Sequence, residues 1–211
     1  MAKKILVIDF TYIMYNVIKV YKDRVNVNEN STITWRILEE EFGLTTNIVK
    51  YDARAYKDIF RKICKLVSSS YFKFTFTMDM DIVAKELAHT KDTYNITNID
   101  YFSDIDTLPK ASNKVNNLNW VRYLYNRDKV ESYKWINTCT SILTEEIENM
   151  TTTRELSIDE YEDFDELIVT YSPQFVPYEY KTLFDSLAIL VNECISEDNK
   201  IYSEIREDSE E

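Results

Sequence analysis

Glycine is nearly missing from this chain: Gly43 stands alone in 211 residues. A phosphate-cradling loop needs several glycines, and no G-x-S-x-G elbow is present, so phosphate-loop nucleotide chemistry and nucleophile-elbow hydrolysis are excluded. Cysteine is scarce as well. Cys64, Cys139 and Cys194 are odd in number, lie far apart and form no C-x-x-C pair, so neither a disulfide framework nor a zinc site is suggested and reduced thiols fit best. His89 is the one histidine, and with no His or Cys partner in sequence it reads as a structural or surface residue. Long apolar runs are absent too. The longest near the start, Ile5 to Ile8, stops at Asp9, too short for a signal-peptide core or a membrane span. Positive charge is in deficit, with 25 Lys and Arg against 37 Asp and Glu for a net charge of -12. That balance argues against displacing counterions from a nucleic-acid backbone and against docking on an anionic membrane. The expected location is the cytoplasm, a host cytoplasm if the source is viral. Abundant Asn, Lys, Ile, Tyr and Asp suits an AT-rich genome, bacterial or phage.

At 45% hydrophobic residues the chain can bury one substantial core. Nothing in it resembles a linker, so residues 1–196 read as a single domain and 197–211 as an acidic, partly disordered tail. Ile5-Leu6-Val7-Ile8 reads as a central strand buried on both faces. Apolar residues at Ile13, Val17, Val20 and Tyr21 then predict a helix, and Asn26 to Asn30 a polar loop. Trp35, Leu38 and Phe42, ahead of Gly43, predict another helix. Asp52 is placed to cap a third, in which Tyr56, Ile59, Phe60, Ile63 and Val67 repeat at three- and four-residue intervals. Phe72, Phe74, Phe76 and Met78 alternate with polar residues, a period of two that predicts a strand.

A short helix through Ile82 and Leu87 leads to a strand at Ile96 to Asp100. After Pro109 and a polar loop, Trp120 to Tyr125 predicts a short helix and Tyr133 to Ile136 a strand. The acidic stretch Thr144 to Asp165 reads as a surface helix and loop, Leu167 to Tyr171 as a buried strand, and Tyr178 to Cys194 as a closing helix. Apolar strands alternating with helices predict an α/β fold, a three-layer sandwich with a mostly parallel central sheet.

Asp9, Asp79, Asp81, Asp100 and Asp104 all fall where predicted strands run out. Parallel strands would bring these carboxylates to one edge of the sheet, and oxygen ligands of that kind suit Mg²⁺ or Mn²⁺ over zinc or copper. Asp also favours turns and caps for local hydrogen-bonding reasons, which is the plainer account of the same five residues. The aromatic residues Tyr71, Phe72, Phe74, Phe76 and Trp120 to Tyr125 read as core, since no basic groove surrounds them in sequence.

The run Ile96-Thr97-Asn98-Ile99-Asp100-Tyr101-Phe102-Ser103-Asp104 resembles the Asp-aromatic-His-His-Asp signature of an arginase-like family of unknown function. Asn119-Trp120-Val121-Arg122-Tyr123-Leu124 with Tyr133-Lys134-Trp135 resembles that family's next segment. Ser172-Pro173, Val176-Pro177 and Leu183-Phe184 resemble its closing strand, turn and helix. The resemblance implies an arginase/deacetylase-like fold. It also implies a pair of Mn²⁺ ions held by Asp and His, with Asp100 and Asp104 on the two Asp positions. Phe102 and Ser103 stand where the family has its histidines. The expectation is therefore a degenerate, non-catalytic member that carries no resident cofactor and binds a protein partner or ligand through its acidic surface.

A second resemblance points elsewhere. Lys4-Ile5-Leu6-Val7-Ile8-Asp9 with Tyr12 and Tyr15 looks like the first strand of metal-dependent nucleases of the PIN and flap-endonuclease type, which gather acidic residues around Mg²⁺. A metal-dependent hydrolase that uses the Asp cluster is the alternative to the binding role. No oligomeric state follows from the sequence.

Overall fold

A computed structural model describes residues 1–15, 50–69, 73–138, 141, 145–156, 163–173 and 175–194. Five strands make the centre: β1 (Lys3–Asp9), β4 (Lys73–Thr77), β5 (Tyr94–Ile99), β6 (Val130–Ile136) and β8 (Glu166–Thr170). Edge strand β7 (Met150–Thr153) completes a six-stranded sheet in the order β4-β8-β1-β5-β6-β7, with every pairing parallel. Two-residue strands β2 (Met14–Tyr15) and β3 (Lys50–Tyr51) pair antiparallel beside it.

Alternation along β1 sets the layers. Leu6 and Ile8 join one buried cluster and Ile5 and Val7 the other, so the central strand feeds a core on each side. Helices α1 (Ala53–Ser69) and α4 (Lys181–Cys194) pack together over the Leu6 face. Helices α2 (Met80–His89) and α3 (Trp120–Tyr125) cover the Ile5 face. This is a three-layer α/β domain with the Ile5 to Ile8 segment at its interior.

Asp52 caps α1 as its position predicts, its Oδ1 accepting from the backbone N–H of Arg54 at 2.8 Å and of Ala55 at 3.1 Å. Asp52→Ala leaves those donors to water and is expected to lower stability by about 1 kcal/mol, read as a shift of the urea midpoint at unchanged slope.

Three expectations are corrected. Where the helix expected over Tyr12 to Tyr21 should begin, the described residues form a 3-10 turn, Phe10–Ile13, that runs into β2, and the rest of that span lies outside the described residues. The Asp9 side chain accepts from Thr11 N–H and so tightens the chain into that turn; residues 16–49, with the Asn26 to Asn30 loop and the Trp35 helix, lie outside the described residues. In the acidic stretch Thr144 to Asp165 the described residues carry a strand in place of a helix, because Met150-Thr151-Thr152-Thr153 is β-favouring and finds the open edge of β6. The closing helix begins at Lys181, three residues late, behind a 3-10 turn at Tyr178–Tyr180. Among the described residues no helix is long and apolar enough to cross a membrane.

Candidate functional site

Parallel pairing places Thr77, Thr170 and Asp9 side by side at the carboxyl ends of β4, β8 and β1, and Asp100 follows the last residue of β5. The 3-10 turn after β1 packs into the α1/α4 core, whereas the chain leaving β5 proceeds to α3 on the other face. Adjacent strands whose connections part to opposite faces open a crevice at their carboxyl ends, the place where open α/β sheets hold ligands. Asp9 and Asp100 stand at that switch point, both buried.

Three carboxyl groups meet there. Asp9, Asp100 and Asp104 are 5%, 2% and 3% exposed, and every hydrogen bond described for them comes from a neutral group. Thr11 ties two together, its N–H donating to Asp9 Oδ1 at 2.7 Å and its hydroxyl to Asp100 Oδ1. Ser172 donates its hydroxyl to Asp9 Oδ2 and receives Asn117 Nδ2 at 3.1 Å, while Asn117 Oδ1 accepts the N–H of Met80 at 3.2 Å, at the start of α2. Asp104 Oδ2 accepts from Trp120 Nε1 at 2.6 Å and Asn98 Nδ2 at 3.0 Å.

Backbone shape supports the cluster. Asp104 and Ser172 take left-handed φ of 55° and 49°, a region that Asp tolerates better than most residues. The turn at Asp104 sends its carboxyl toward Trp120 and Asn98, and its carbonyl accepts the N–H groups of Val121 and Arg122 at the start of α3. Trp135 Nε1 donates to Asp100 O at 3.0 Å, and Tyr133 Oη to Ser103 O at 2.8 Å. Two buried aromatic donors thus pin the loop between Asp100 and Asp104.

Electrostatics follow from burial. Loss of water pushes the Asp9 and Asp104 carboxyls well above the usual carboxylate range, with the Asp100 charge adding to both. Asp100 is pushed up to about 6 by burial, against the donors it accepts. A proton on Asp104 lets it donate to Asp100, which holds Asp104 neutral longer and Asp100 charged longer. Among the described residues Asn98 Oδ1 and Thr170 Oγ1 are buried with no hydrogen-bond partner, and Asp104 Oδ1 has none unless it carries the proton that it gives to Asp100. Such orphans cost about 1–3 kcal/mol apiece and call for an explanation.

Not every expected residue joins. Asp79 and Asp81 lie at the same edge but beyond β4, with β8 between them and Asp9. Asp79 caps α2; burial would raise Asp81, but hydrogen bonds with Asp79 and Lys85 hold it below its usual range. Their oxygens serve the helix. Phe102 packs against Tyr101 and Phe175, and His89 ends α2 as an exposed residue, so no imidazole reaches the cluster. Thr11, Asn98, Trp120 and Ser172 complete the site without standing out in the sequence as its members. Asn98 alone carried a usable signal, a polar residue inside a strand otherwise fit for a core.

Among the described residues no three Asp, Glu, His or Cys side chains are arranged to hold a metal ion as they stand; the carboxyl groups face hydroxyls, amides and one another instead. Comparison with protein-family models, with curated proteins and with solved structures found no match.

Proposed function

We propose that the protein is a divalent-cation-dependent phosphodiester hydrolase, in which Asp9, Asp100 and Asp104 exchange protons for Mg²⁺ or Mn²⁺. The observation that carries this reading is three buried carboxyl groups at the strand ends whose hydrogen bonds, among the described residues, all come from neutral donors. Such a set is stable only while protons or a cation offset its charge. All-oxygen donors suit a hard cation, and among the described residues Asn98 Oδ1 is a buried acceptor with no donor, as Asp104 Oδ1 becomes once its proton is lost.

A cation held there would polarise a phosphoryl oxygen and generate hydroxide at neutral pH. Asp9 and Asp100 would hold it from β1 and β5, while Thr11 and Ser172 fix the two carboxylates from the side. Asp104, raised by burial and by the Asp100 charge, would accept a proton from an incoming water once it has given up its own. Arginase chemistry, with its imidazole ligands, has no such support: Phe102 turns into an aromatic cluster.

Ligands that carry protons must shed them, so Mn²⁺ affinity should climb steeply as pH rises through about 6, the Asp100 value. Calorimetric titration of chelator-treated protein with Mn²⁺ in two buffers of different ionisation enthalpy is expected to show at least one proton released per ion. Hydrolysis of a bis-nitrophenyl phosphodiester should then require the metal. No Mn²⁺ or Mg²⁺ uptake at any pH would remove this reading and leave a domain that acts by binding alone.

A further inference from the structure

The charge of this chain is not spread evenly. Helix α1 carries Arg54, Lys57, Arg61, Lys62 and Lys65 against a single carboxylate, Asp58, within a chain whose net charge is -12. Arg54, Lys57, Arg61 and Lys65 follow one another at spacings of three, four and four, so they form one stripe along the helix, and all four are exposed. The stripe is about 16 Å long at the helical rise. Opposite it, Ile59, Ile63 and Leu66 are buried in the core.

Placement gives the stripe its meaning. Asp52, which caps α1, donates its N–H to Ile13 O at 2.6 Å, and Ile13 ends the 3-10 turn that begins right after Asp9. The helix then runs back toward the start of β4, antiparallel to the strands. A cationic track therefore starts at the sheet edge that holds the carboxyl cluster and leads away from it.

We infer that α1 is the docking surface for the phosphate backbone of a nucleic-acid strand, which would make the hydrolysed phosphodiester that of a polynucleotide. This rests on the proposed hydrolase reading and names its substrate class. Regularly placed Lys and Arg displace counterions from a polyphosphate, and that local field acts over about 10 Å whatever the distant acidic residues sum to. An anionic membrane fits less well, because a helix that lies on lipid turns its apolar face outward, and here that face is spent on the core. Arg61 lies 3.9 Å from Asp58, a loose exposed pair that a phosphate can replace.

The test is fluorescence anisotropy of labelled oligothymidylate with the whole chain in EDTA, so that no metal is needed. Binding should weaken with salt, and Arg54→Gln with Lys57→Gln and Arg61→Gln should weaken it about tenfold or more and flatten the salt slope by about 0.7 for each cation removed. Lys91→Gln with Lys110→Gln, cations off the helix, should change nothing. Since all five substituted side chains are exposed, circular dichroism should show every variant folded. Equal salt slopes for the α1 variant and the parent would overturn the inference, as would tighter binding of polyglutamate or of phosphatidylserine vesicles than of the oligonucleotide. Oligonucleotide binding through α1 with no Mn²⁺-dependent cleavage would sink the hydrolase reading and leave the docking surface standing.

Discussion

Asn in place of Asp100 is expected to make the metal-free protein more stable at neutral pH while abolishing its metal-dependent hydrolysis. The stability half follows from linkage. Burial raises Asp100 from 3.8 to about 6, so the folded state holds a proton that the unfolded state has released. Its contribution is complete below the unfolded value and is lost as pH rises through about 6, a loss on the order of 3 kcal/mol. Asp9 and Asp104, raised in the same direction, extend the decline to higher pH. Asn cannot ionise, yet its carbonyl still accepts from Thr11. Melting curves in EDTA should therefore fall between about pH 4 and pH 7 for the parent and flatten for Asp100→Asn. For the other half, loss of one carboxylate from a hard-cation site should cost at least about a hundredfold in turnover. A variant with a lower melting temperature than the parent at neutral pH would show that Asp100 is a structural anion and not a strained one.

Trp120→Ala should be the most damaging single substitution at the site. The indole is buried at 1% exposure, fills the core under α2 and α3, and supplies the 2.6 Å donor to Asp104. Truncation opens a cavity and costs about 3–5 kcal/mol. A domain of this size should lose about 10 °C of melting temperature. Trp120→Phe keeps most of the volume and removes the donor alone. It should cost less than half as much, and its Asp104 carboxyl should rise further, since the indole N–H is the bond that lowers it. Carboxyl ¹³C shifts across a pH titration would separate the two effects. Equal costs for Phe and Ala would mean that the donor and not the volume dominates.

The layers were legible because the physics that makes them is local. Four unbroken apolar residues at Ile5 to Ile8, bounded by charge and too short for a helix, read as a strand covered twice, and Phe74 and Phe76 alternate with threonines as in a half-buried strand. The edge strand at Met150 was hidden by acidic neighbours, since an edge needs a partner more than it needs apolar residues. Asp9, Asp100 and Asp104 could be picked out as carboxylates at strand ends. That they meet depends on β1 lying beside β5, an adjacency between residues about ninety positions apart that no local pattern encodes. Asp79 and Asp81 carry the same sequence signal and are excluded by sheet order alone, with β4 at the outside of β8.

That sheet order also sets a schedule for synthesis. Strand β1 has β5 on one side and β8 on the other, and the Lys4 N–H that meets the Asp165 carboxylate waits for a residue 161 positions further on. At about 5–20 residues per second the ribosome needs on the order of ten seconds to deliver it. Throughout that interval Ile5 to Ile8 has an open edge, and the carboxyl of Asp9 lacks the Ser172 hydroxyl that will bind it. The nascent chain therefore carries an apolar strand with one edge open for that whole interval, and lowering temperature during expression should raise the soluble yield more than strengthening any helix would.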